Sequence, residues 1–504
     1  MTTPSRLIFS DVGLLLAVVS GCVLPLAFAP FSQFWLAPLC FAALIHLWGG
    51  ADPWRAFRLG FAFGMASFLC GIYWVYISIH DYGPAPAAFA IAMTLLLVSI
   101  LAVFPAIAGW VAARWFATEG PAAWFGVLPA LWVITEWLRG WAFTGFGWLS
   151  AGYSQSDSWL MGFAAVGGVH FMSWAVTLTA GALVMMTKGT PRQRAVAGVL
   201  ILSIWASGYV GTNVRWTEPL EGELSVALVQ GAVPQDLKWD PDQLAPTLAL
   251  YRDLTYASQG SDLIVWPEAA IPTLFDYVGD YLDEIRGWTE QNGSELILGV
   301  LRADPERDAV QNTIVALGET PSFYIKRHLV PYGEYFPVPA FIREWLRLMS
   351  LPYSDALPGP DGQPPLEVAG QRIAMSICYE DVFGAEQLHY LPEATLLVNV
   401  SNDAWFGDSI APHQHLEIAR VRAAEAGRYL LRATNTGVSG IIGPTGKLIA
   451  TAPQFEPQVL RGTVRGYAGA TPYARWGNIA VLAACFFVLI FQFATTKLTI
   501  RPGT

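Results

Sequence analysis

The chain carries five cysteines, and four of them, Cys22, Cys40, Cys70 and Cys485, lie in long apolar runs. A thiol there serves as a small packing group. Cys378 differs. It stands alone in a polar block just past a β-rich run, in Ser376-Ile-Cys-Tyr-Glu-Asp381. A lone thiol of this kind is either a buried structural group or a nucleophile. Two other β-rich runs end in reactive groups. Leu263-Ile-Val-Trp-Pro-Glu268 ends in a carboxylate, and Phe323-Tyr-Ile-Lys-Arg-His-Leu-Val-Pro-Tyr-Gly-Glu-Tyr335 presents Lys326 and Glu334. Each alone reads as a solvated strand end. Together they supply what acyl transfer through a thiol needs. The thiolate attacks, a carboxylate takes its proton, and a fixed cation meets the oxyanion of the tetrahedral intermediate.

These groups need strands to hold them. Short apolar runs occur at 224–230, 263–266, 296–300, 313–317, 373–377, 396–400 and 437–442. Amphipathic stretches near 243–258, 278–291 and 412–428 alternate with them. Such alternation predicts an α/β or αββα layered domain. Residues 331–368, rich in Pro and Gly, read as a long irregular segment, and loops of that length are functional or disordered.

The rest of the chain is a different material. Hydrophobic residues make up 54% of 504 and charged residues 13%, about half the share in soluble proteins. The charges are unevenly spread: residues 1–211 hold 8 Lys+Arg and 6 Asp+Glu, residues 212–474 hold 18 and 33, and residues 475–504 hold 3 and none. A wholly soluble enzyme and a disordered chain are both disfavoured. With a net charge of −10, so is a nucleic-acid partner. Apolar windows at 12–29, 31–48, 56–79, 87–113, 122–138, 159–187, 195–211 and 477–496 approach or reach the ~20 residues that span a bilayer. They predict about eight transmembrane helices: a seven-helix bundle over 1–211 and a C-terminal helix over 475–498, flanking an extramembrane domain at 220–470. Arg6, Arg55, Arg58, Arg114, Lys188, Arg192, Arg194, Lys497 and Arg501 would then share one side. That bias predicts cytoplasmic termini and an extracytoplasmic catalytic domain. Ala27-Phe28-Ala29 resembles a signal-peptide cleavage site, but Pro30 and the helices that follow favour an uncleaved anchor.

The motifs Trp266-Pro-Glu268, Lys326-Arg-His-Leu-Val-Pro-Tyr-Gly-Glu334 and Cys378-Tyr-Glu380 resemble the Glu-Lys-Cys motifs of the nitrilase superfamily over residues 222–465. With the membrane helices at both ends, the chain resembles the membrane-embedded apolipoprotein N-acyltransferase family of that superfamily. Gln230-Gly231, Lys238-Trp239, Asn312-Thr313, Asn399-Val-Ser-Asn-Asp-Ala-Trp-Phe-Gly407 and Arg432-Ala-Thr-Asn-Thr-Gly437 agree in order. The resemblance implies a helical bundle plus an αββα nitrilase-like sandwich in the bacterial inner membrane, with the sandwich in the periplasm. It implies Glu268 as general base, Cys378 as nucleophile and Lys326 as oxyanion stabiliser. An sn-1 acyl chain would pass from phospholipid to Cys378 as a thioester, then to the α-amino group of a diacylglyceryl-cysteine at an apolipoprotein N-terminus. In the family Glu334 and Glu380 support the centre, the Tyr379 backbone assists the oxyanion, Trp239 resembles a gating aromatic and Asn312 lies near the site. No cofactor or metal is implied, and a monomer suffices.

The membrane shell has its own physical logic, since each CH₂ of an acyl chain costs ~0.8 kcal/mol to expose to water. Residues 341–349 carry an apolar face at helical spacing, so Trp345 and Leu346, with Trp405 and Phe406, are candidates to gate lipid entry; the other reading is an ordinary packed helix. Glu136 and Arg139 read as a snorkelling interfacial pair or as functional groups within a span. His413 and His415 lack further metal ligands and read as packing or capping residues. Two competing functions remain at this stage: a membrane-anchored amidase that hydrolyses its thioester with water, and a transporter or receptor, which would carry more charge inside the bundle.

Overall fold

The computed structural model describes residues 4–499 except 84, 305, 308 and 336–355. The chain divides into two compact units. One comprises residues up to Arg215, Asp408–Glu417 and the chain from Thr471; the other comprises Trp216–Gly407 and Ile418–Ala470.

The first unit is helical. Its main helices are Pro4–Val23, Leu36–Trp48, Pro53–Gly71, Ala87–Trp115, Leu128–Arg139, Ala164–Lys188, Pro191–Asn213 and Ile479–Thr499. Sequence punctuation explains several starts. Asp52 accepts from the Trp54 and Arg55 N–H groups ahead of Pro53, and Thr190 forms a capping box with Gln193 around Pro191. By length and composition, 87–115, 159–188 and 191–213 can each cross a membrane. Pro53–Gly71 with Trp74–Tyr82 would make a fourth span, bent by 53°. Val12–Ala27, Leu36–Trp48 and Ile479–Thr495 are shorter apolar helices. The bend at 72–73 lies inside an unbroken apolar window, where hydropathy carries no signal of it. Small residues set the helix spacing. A Cβ on Gly60 would meet the Pro105 carbonyl oxygen at 2.5 Å, and one on Gly64 would meet Ala102 Cα at 2.9 Å.

Glu136 and Arg139 are buried rather than interfacial, each 3% exposed. Glu136 Oε1 accepts from Trp132 Nε1 and the Ala151 N–H, each at 2.7 Å. Arg139 donates to the carbonyls of Phe146 and Trp148 and to Ser150 Oγ. The two side chains therefore fasten the glycine-rich loop that follows their own helix.

The second unit is built on two main sheets. In the seven-stranded sheet the order is Gln458–Val464, Leu224–Gln230, Leu263–Val265, Glu295–Ala303, Val310–Leu317, Ser322–Ile325, with Ile271–Leu274 also pairing to Glu295–Ala303. The six-stranded sheet runs Leu448–Thr451, Gly440–Ile442, Leu430–Thr434, Leu396–Ser401, Gln371–Ile377, Leu366–Val368. The two sheets meet: a Cβ on Gly462 of the first would lie 2.4 Å from Ile441 Cδ1 of the second. Three central strands in each sheet are parallel, and their near-continuous Val, Ile and Leu runs match burial on both faces. Helices Leu244–Tyr256 and Gly279–Gln291 cover the first sheet, with Tyr251, Leu282 and Ile285 packed among Ile264, Trp266, Leu296 and Leu298. The apolar runs read from sequence coincide with strands, as does the β-rich run that leads into Lys326, whereas the strands 271–274, 366–368, 430–434, 448–451 and 458–464 lie outside those runs.

Candidate active site

The predicted groups stand at strand ends. Glu268 follows Leu263–Val265 by three residues, Lys326 follows Ser322–Ile325 directly, and Cys378 follows Gln371–Ile377 directly. Cys378 has φ +50°, a left-handed conformation that costs a non-glycine residue about 1–3 kcal/mol. A sharp turn of this kind takes the thiol out of the alternation of the strand.

Lys326 is 1% exposed, and its Nζ lies 2.8 Å from Glu334 Oε1 and 3.3 Å from Glu268 Oε1. Asn312, on the neighbouring strand, ties the same carboxylates: its Nδ2 donates to Glu268 at 2.7 Å and to Glu334 at 3.1 Å. The Asn402 N–H donates to Glu268 Oε2 at 2.8 Å. Burial opposes the charge on Lys326, but Glu268, Glu334 and Cys378 outweigh it and hold the ammonium well above its ordinary range. The cation is therefore permanent at any physiological pH.

Cys378 shows the reverse balance. Burial pushes its thiol far up, Glu268 and Asp403 add to that, and Lys326 with a Ser401 hydrogen bond opposes it. At rest the Cys378 sulfur is a neutral thiol. A thiol in this state can attack a carbonyl only as its proton leaves, and a carboxylate nearby can take it. An ionised carboxylate offers about four lone-pair positions. Among the described residues, Asn312 and Lys326 occupy two on Glu268 Oε1 and Asn402 occupies one on Oε2. One position on Oε2 has no donor among the described residues.

Glu380 is structural in its contacts. It is buried, and it accepts from the N–H groups of Ile377, Arg327 and His328 and from the Tyr324 hydroxyl. It thereby ties the lysine segment to the cysteine turn. Burial raises its carboxyl, with those backbone donors opposing. Glu334 also accepts from the Val330 N–H at 2.7 Å, which closes the 330–334 turn around Lys326. The Tyr379 ring packs edge-on against Phe383 and His328. Trp239 and Trp405 are exposed and Phe406 is partly so. Trp345 and Leu346, with the rest of 341–349, lie outside the described residues.

Several neighbours carry contacts that their place in the sequence motifs does not show. Lys238 is 1% exposed and donates to the Glu268 carbonyl at 3.3 Å. Gln235 and Asn435 hold the Asn402 side chain. The arginines at 422–432 divide by role: Arg422 pairs with Glu425 at 2.7 Å, Arg428 donates to the carbonyls of Ala394, Pro392 and Gly469, and Arg432 pairs with Asp403 at 2.8 Å.

A thiol, a carboxylate and a buried ammonium at the ends of strands in two facing sheets define a carbon-nitrogen hydrolase type of centre. The family model described as carbon-nitrogen hydrolase matches residues 225–473, and that of the apolipoprotein N-acyltransferase N-terminal domain matches residues 20–182. The chain is 42% identical over 487 residues to an apolipoprotein N-acyltransferase of Methylococcus capsulatus, covering 96% of each chain. It is 41% identical over 494 residues to that of Chromobacterium violaceum, covering 97% of this chain and 94% of the relative. It is 42% identical over 480 residues to that of Nitrosomonas europaea, covering 94% of each. The chain belongs to the apolipoprotein N-acyltransferase family.

Proposed function

We propose that this membrane enzyme acylates the N-terminus of apolipoproteins in two half-reactions that share Cys378. In the first, Sγ attacks the carbonyl carbon of the sn-1 ester of a phospholipid while Glu268 takes the thiol proton. Lys326, and the Tyr379 N–H, face the oxyanion. Collapse breaks the ester C–O bond, Glu268 returns the proton to the leaving oxygen, and lysophospholipid departs. In the second, the α-amino group of an S-diacylglyceryl-cysteine attacks the thioester. Glu268 takes an amine proton and the sulfur leaves as the thiol, so an amide forms and the enzyme is restored. The observation that carries this reading is the Lys326 ammonium, buried between Glu268 and Glu334 and within electrostatic reach of the Cys378 sulfur. Such a fixed cation stabilises developing negative charge without reorganising.

Helices at 12–27, 36–48, 53–82, 87–115, 123–139, 159–188, 191–213 and 479–495 serve as eight crossings, with residues 1–211 and 475–498 in the inner membrane and 220–470 as the periplasmic catalytic domain. Both termini are then cytoplasmic, in keeping with the Lys and Arg bias. Exposed Trp239 and Trp405, with Phe406, are suited to meet acyl chains. Glu334 and Glu380 hold the centre, and Asn312 keeps Glu268 and Glu334 apart from each other and close to Lys326. One chain suffices, because both substrates use the same sulfur in turn.

The test is an intact-mass experiment. Purified protein incubated with phospholipid should gain one acyl mass on Cys378, and a diacylglyceryl peptide should discharge it with amide formation. An adduct that persists in Cys378→Ala, or none on the wild type, overturns the mechanism. Discharge to free fatty acid with no acylated peptide would make the enzyme a hydrolase.

A further inference from the structure

One dipeptide of the strand Leu396–Ser401 and its extension touches both reacting groups of the proposed centre. The strand runs parallel to Gln371–Ile377 with Val400 opposite Ile377, so Ser401 and Cys378 emerge side by side at the same sheet end. Asn402 supplies its N–H to Glu268, and Ser401, next along the strand from Val400, stands beside Cys378, whose thiol it favours in the ionised form. Ser401 is fully buried. Its hydroxyl donates to Asp403 Oδ1 at 2.9 Å, and Asp403 Oδ2 accepts from Arg432 at 2.8 Å. Arg432, also fully buried, reaches Asn399 and stands 3.5 Å from Asp381. An Asp403 carboxylate oxygen lies within 4.8 Å of Cys378 Sγ.

A hydroxyl has one proton and two lone pairs. While that proton points at Asp403, the Ser401 oxygen can only accept from the Cys378 S–H. Once the sulfur loses its proton, an acceptor facing an anion is unfavourable. Rotation about the Cα–Cβ and C–O bonds can bring the hydroxyl proton to the sulfur, and Arg432 remains to balance Asp403. Because Arg432 and Asp403 are both buried, the relay needs no solvent to rearrange.

We propose that Ser401 is a hydrogen-bond switch on the nucleophile: set by Asp403 and Arg432, its hydroxyl accepts from the Cys378 thiol at rest and donates to the sulfur when the thiolate forms and when it leaves the thioester. The proposal rests on the reading of Cys378 as the acyl-carrying nucleophile. Its effect would lie in the thiolate population rather than in substrate binding. A hydrogen bond to a charged group is worth about 1.5–3 kcal/mol, or roughly ten- to a hundredfold.

The test is the rate of Cys378 alkylation by iodoacetamide against pH, in the full-length detergent-solubilised protein, with the adduct located by peptide mass spectrometry. Ser401→Ala should move the alkylation midpoint up by about one pH unit and slow thioester formation at neutral pH about tenfold. Ser401→Thr keeps the hydroxyl and should restore most of both. Asp403→Asn should move the midpoint the other way, downward, because it removes a negative charge near the sulfur and releases the hydroxyl proton. Loss of fold would expose the thiol, bring the midpoint down toward the ordinary cysteine range and abolish thioester formation, so the Ser401→Ala shift runs against structural damage, and the Asp403→Asn shift is read with a thermal unfolding transition that matches wild type. An unchanged midpoint in Ser401→Ala, or an upward or absent shift in Asp403→Asn, overturns the proposal. Alkylation needs no phospholipid, so this result stays readable even if no acyl adduct forms on Cys378.

Discussion

The Tyr324 hydroxyl lies 2.9 Å and 3.0 Å from the two oxygens of Glu380, on the strand that leads into Lys326. Glu380 itself follows Cys378 by two residues, so this contact joins the segment that carries the cation to the turn that carries the thiol. Burial, and then the Glu380 charge, raise the Tyr324 hydroxyl well above its usual range, so it donates at every working pH. Tyr324→Phe removes one donor from a buried carboxylate that keeps its three backbone donors. The expected loss is about 1.5–3 kcal/mol of stability, with acyl-adduct formation slowed as the lysine segment loosens. Thermal unfolding in detergent and intact-mass kinetics measure the two effects. Unchanged values for both would mean that the backbone donors alone fix Glu380.

Asn312 supplies the one side-chain amide that touches both Glu268 and Glu334 among the described residues. Two carboxylates converging on one ammonium repel each other, and the shared amide reduces that repulsion with a fixed dipole. Asn312→Ala should therefore slow thioester formation by about ten- to a hundredfold, in line with the loss of a hydrogen bond to a charged group. Asn312→Asp would be worse, since a third carboxylate would compete for Lys326. Single-turnover acylation of the two variants against wild type gives the order. Asn312→Asp faster than Asn312→Ala would contradict the argument.

Lys238 makes a prediction about stability against pH. Burial pushes its ammonium down to about 8, against the pull of Glu268. A lysine whose folded value is depressed costs stability while charged, fully so below that value. The cost fades as pH rises from about 8 to the unfolded value near 10.4, because the unfolded chain then holds the extra proton. Over that window the cost is on the order of 3 kcal/mol. Lys238→Met should raise the unfolding temperature at pH 7 relative to wild type, and the difference should shrink toward pH 10. Comparison between the two proteins at each pH cancels the other titrating groups. A constant difference would show that the Lys238 charge is better satisfied than its single bond to the Glu268 carbonyl suggests.

How much of this was legible in the sequence follows from what each role depends on. Glu268, Lys326 and Cys378 each sit just past an apolar run, so period and chemistry marked them together. Asn402 acts through a backbone N–H on Glu268, 134 positions away, and its side chain advertises nothing of that contact. Ser401 and Asp403 had been visible only as letters in a motif, because their partners arrive through parallel pairing of strands far apart in sequence. Glu136 and Arg139 were legible as a pair, but their hydrogen bonds go to the loop at 146–151 instead of to the interface. The apolar windows fall on helices, of which three, or four with the bent pair, are long and apolar enough to cross a membrane among the described residues. The bend at 72–73 was hidden because hydropathy does not register backbone direction.

Gly299 is the sharpest case of a site residue with no chemistry of its own. It lies in the strand Glu295–Ala303, beneath the segment that carries Glu268. A Cβ there would meet the Pro267 carbonyl oxygen at 2.5 Å, Glu268 Cα at 2.6 Å and the Ala269 nitrogen at 2.9 Å. All three are backbone atoms, so no side chain can swing aside. Either the strand or the Glu268 peptide must shift, and the Ala270 N–H to Gly299 carbonyl bond at 2.9 Å would be strained with it. Overpacking of this kind costs about 1–3 kcal/mol. Displacing a reacting group by even about 1 Å can cost a hundredfold in rate. Gly299→Ala should thus lower both the unfolding temperature and thioester formation, the second by about ten- to a hundredfold. Gly287, inside the helix Gly279–Gln291, has nothing within 4 Å of where its Cβ would stand. Gly287→Ala should stabilise the protein by about 0.5–1 kcal/mol through helix propensity and leave acylation unchanged. The pair separates a glycine required by close approach from one that is merely tolerated. Equal behaviour of the two variants would remove Gly299 from the machinery that places Glu268.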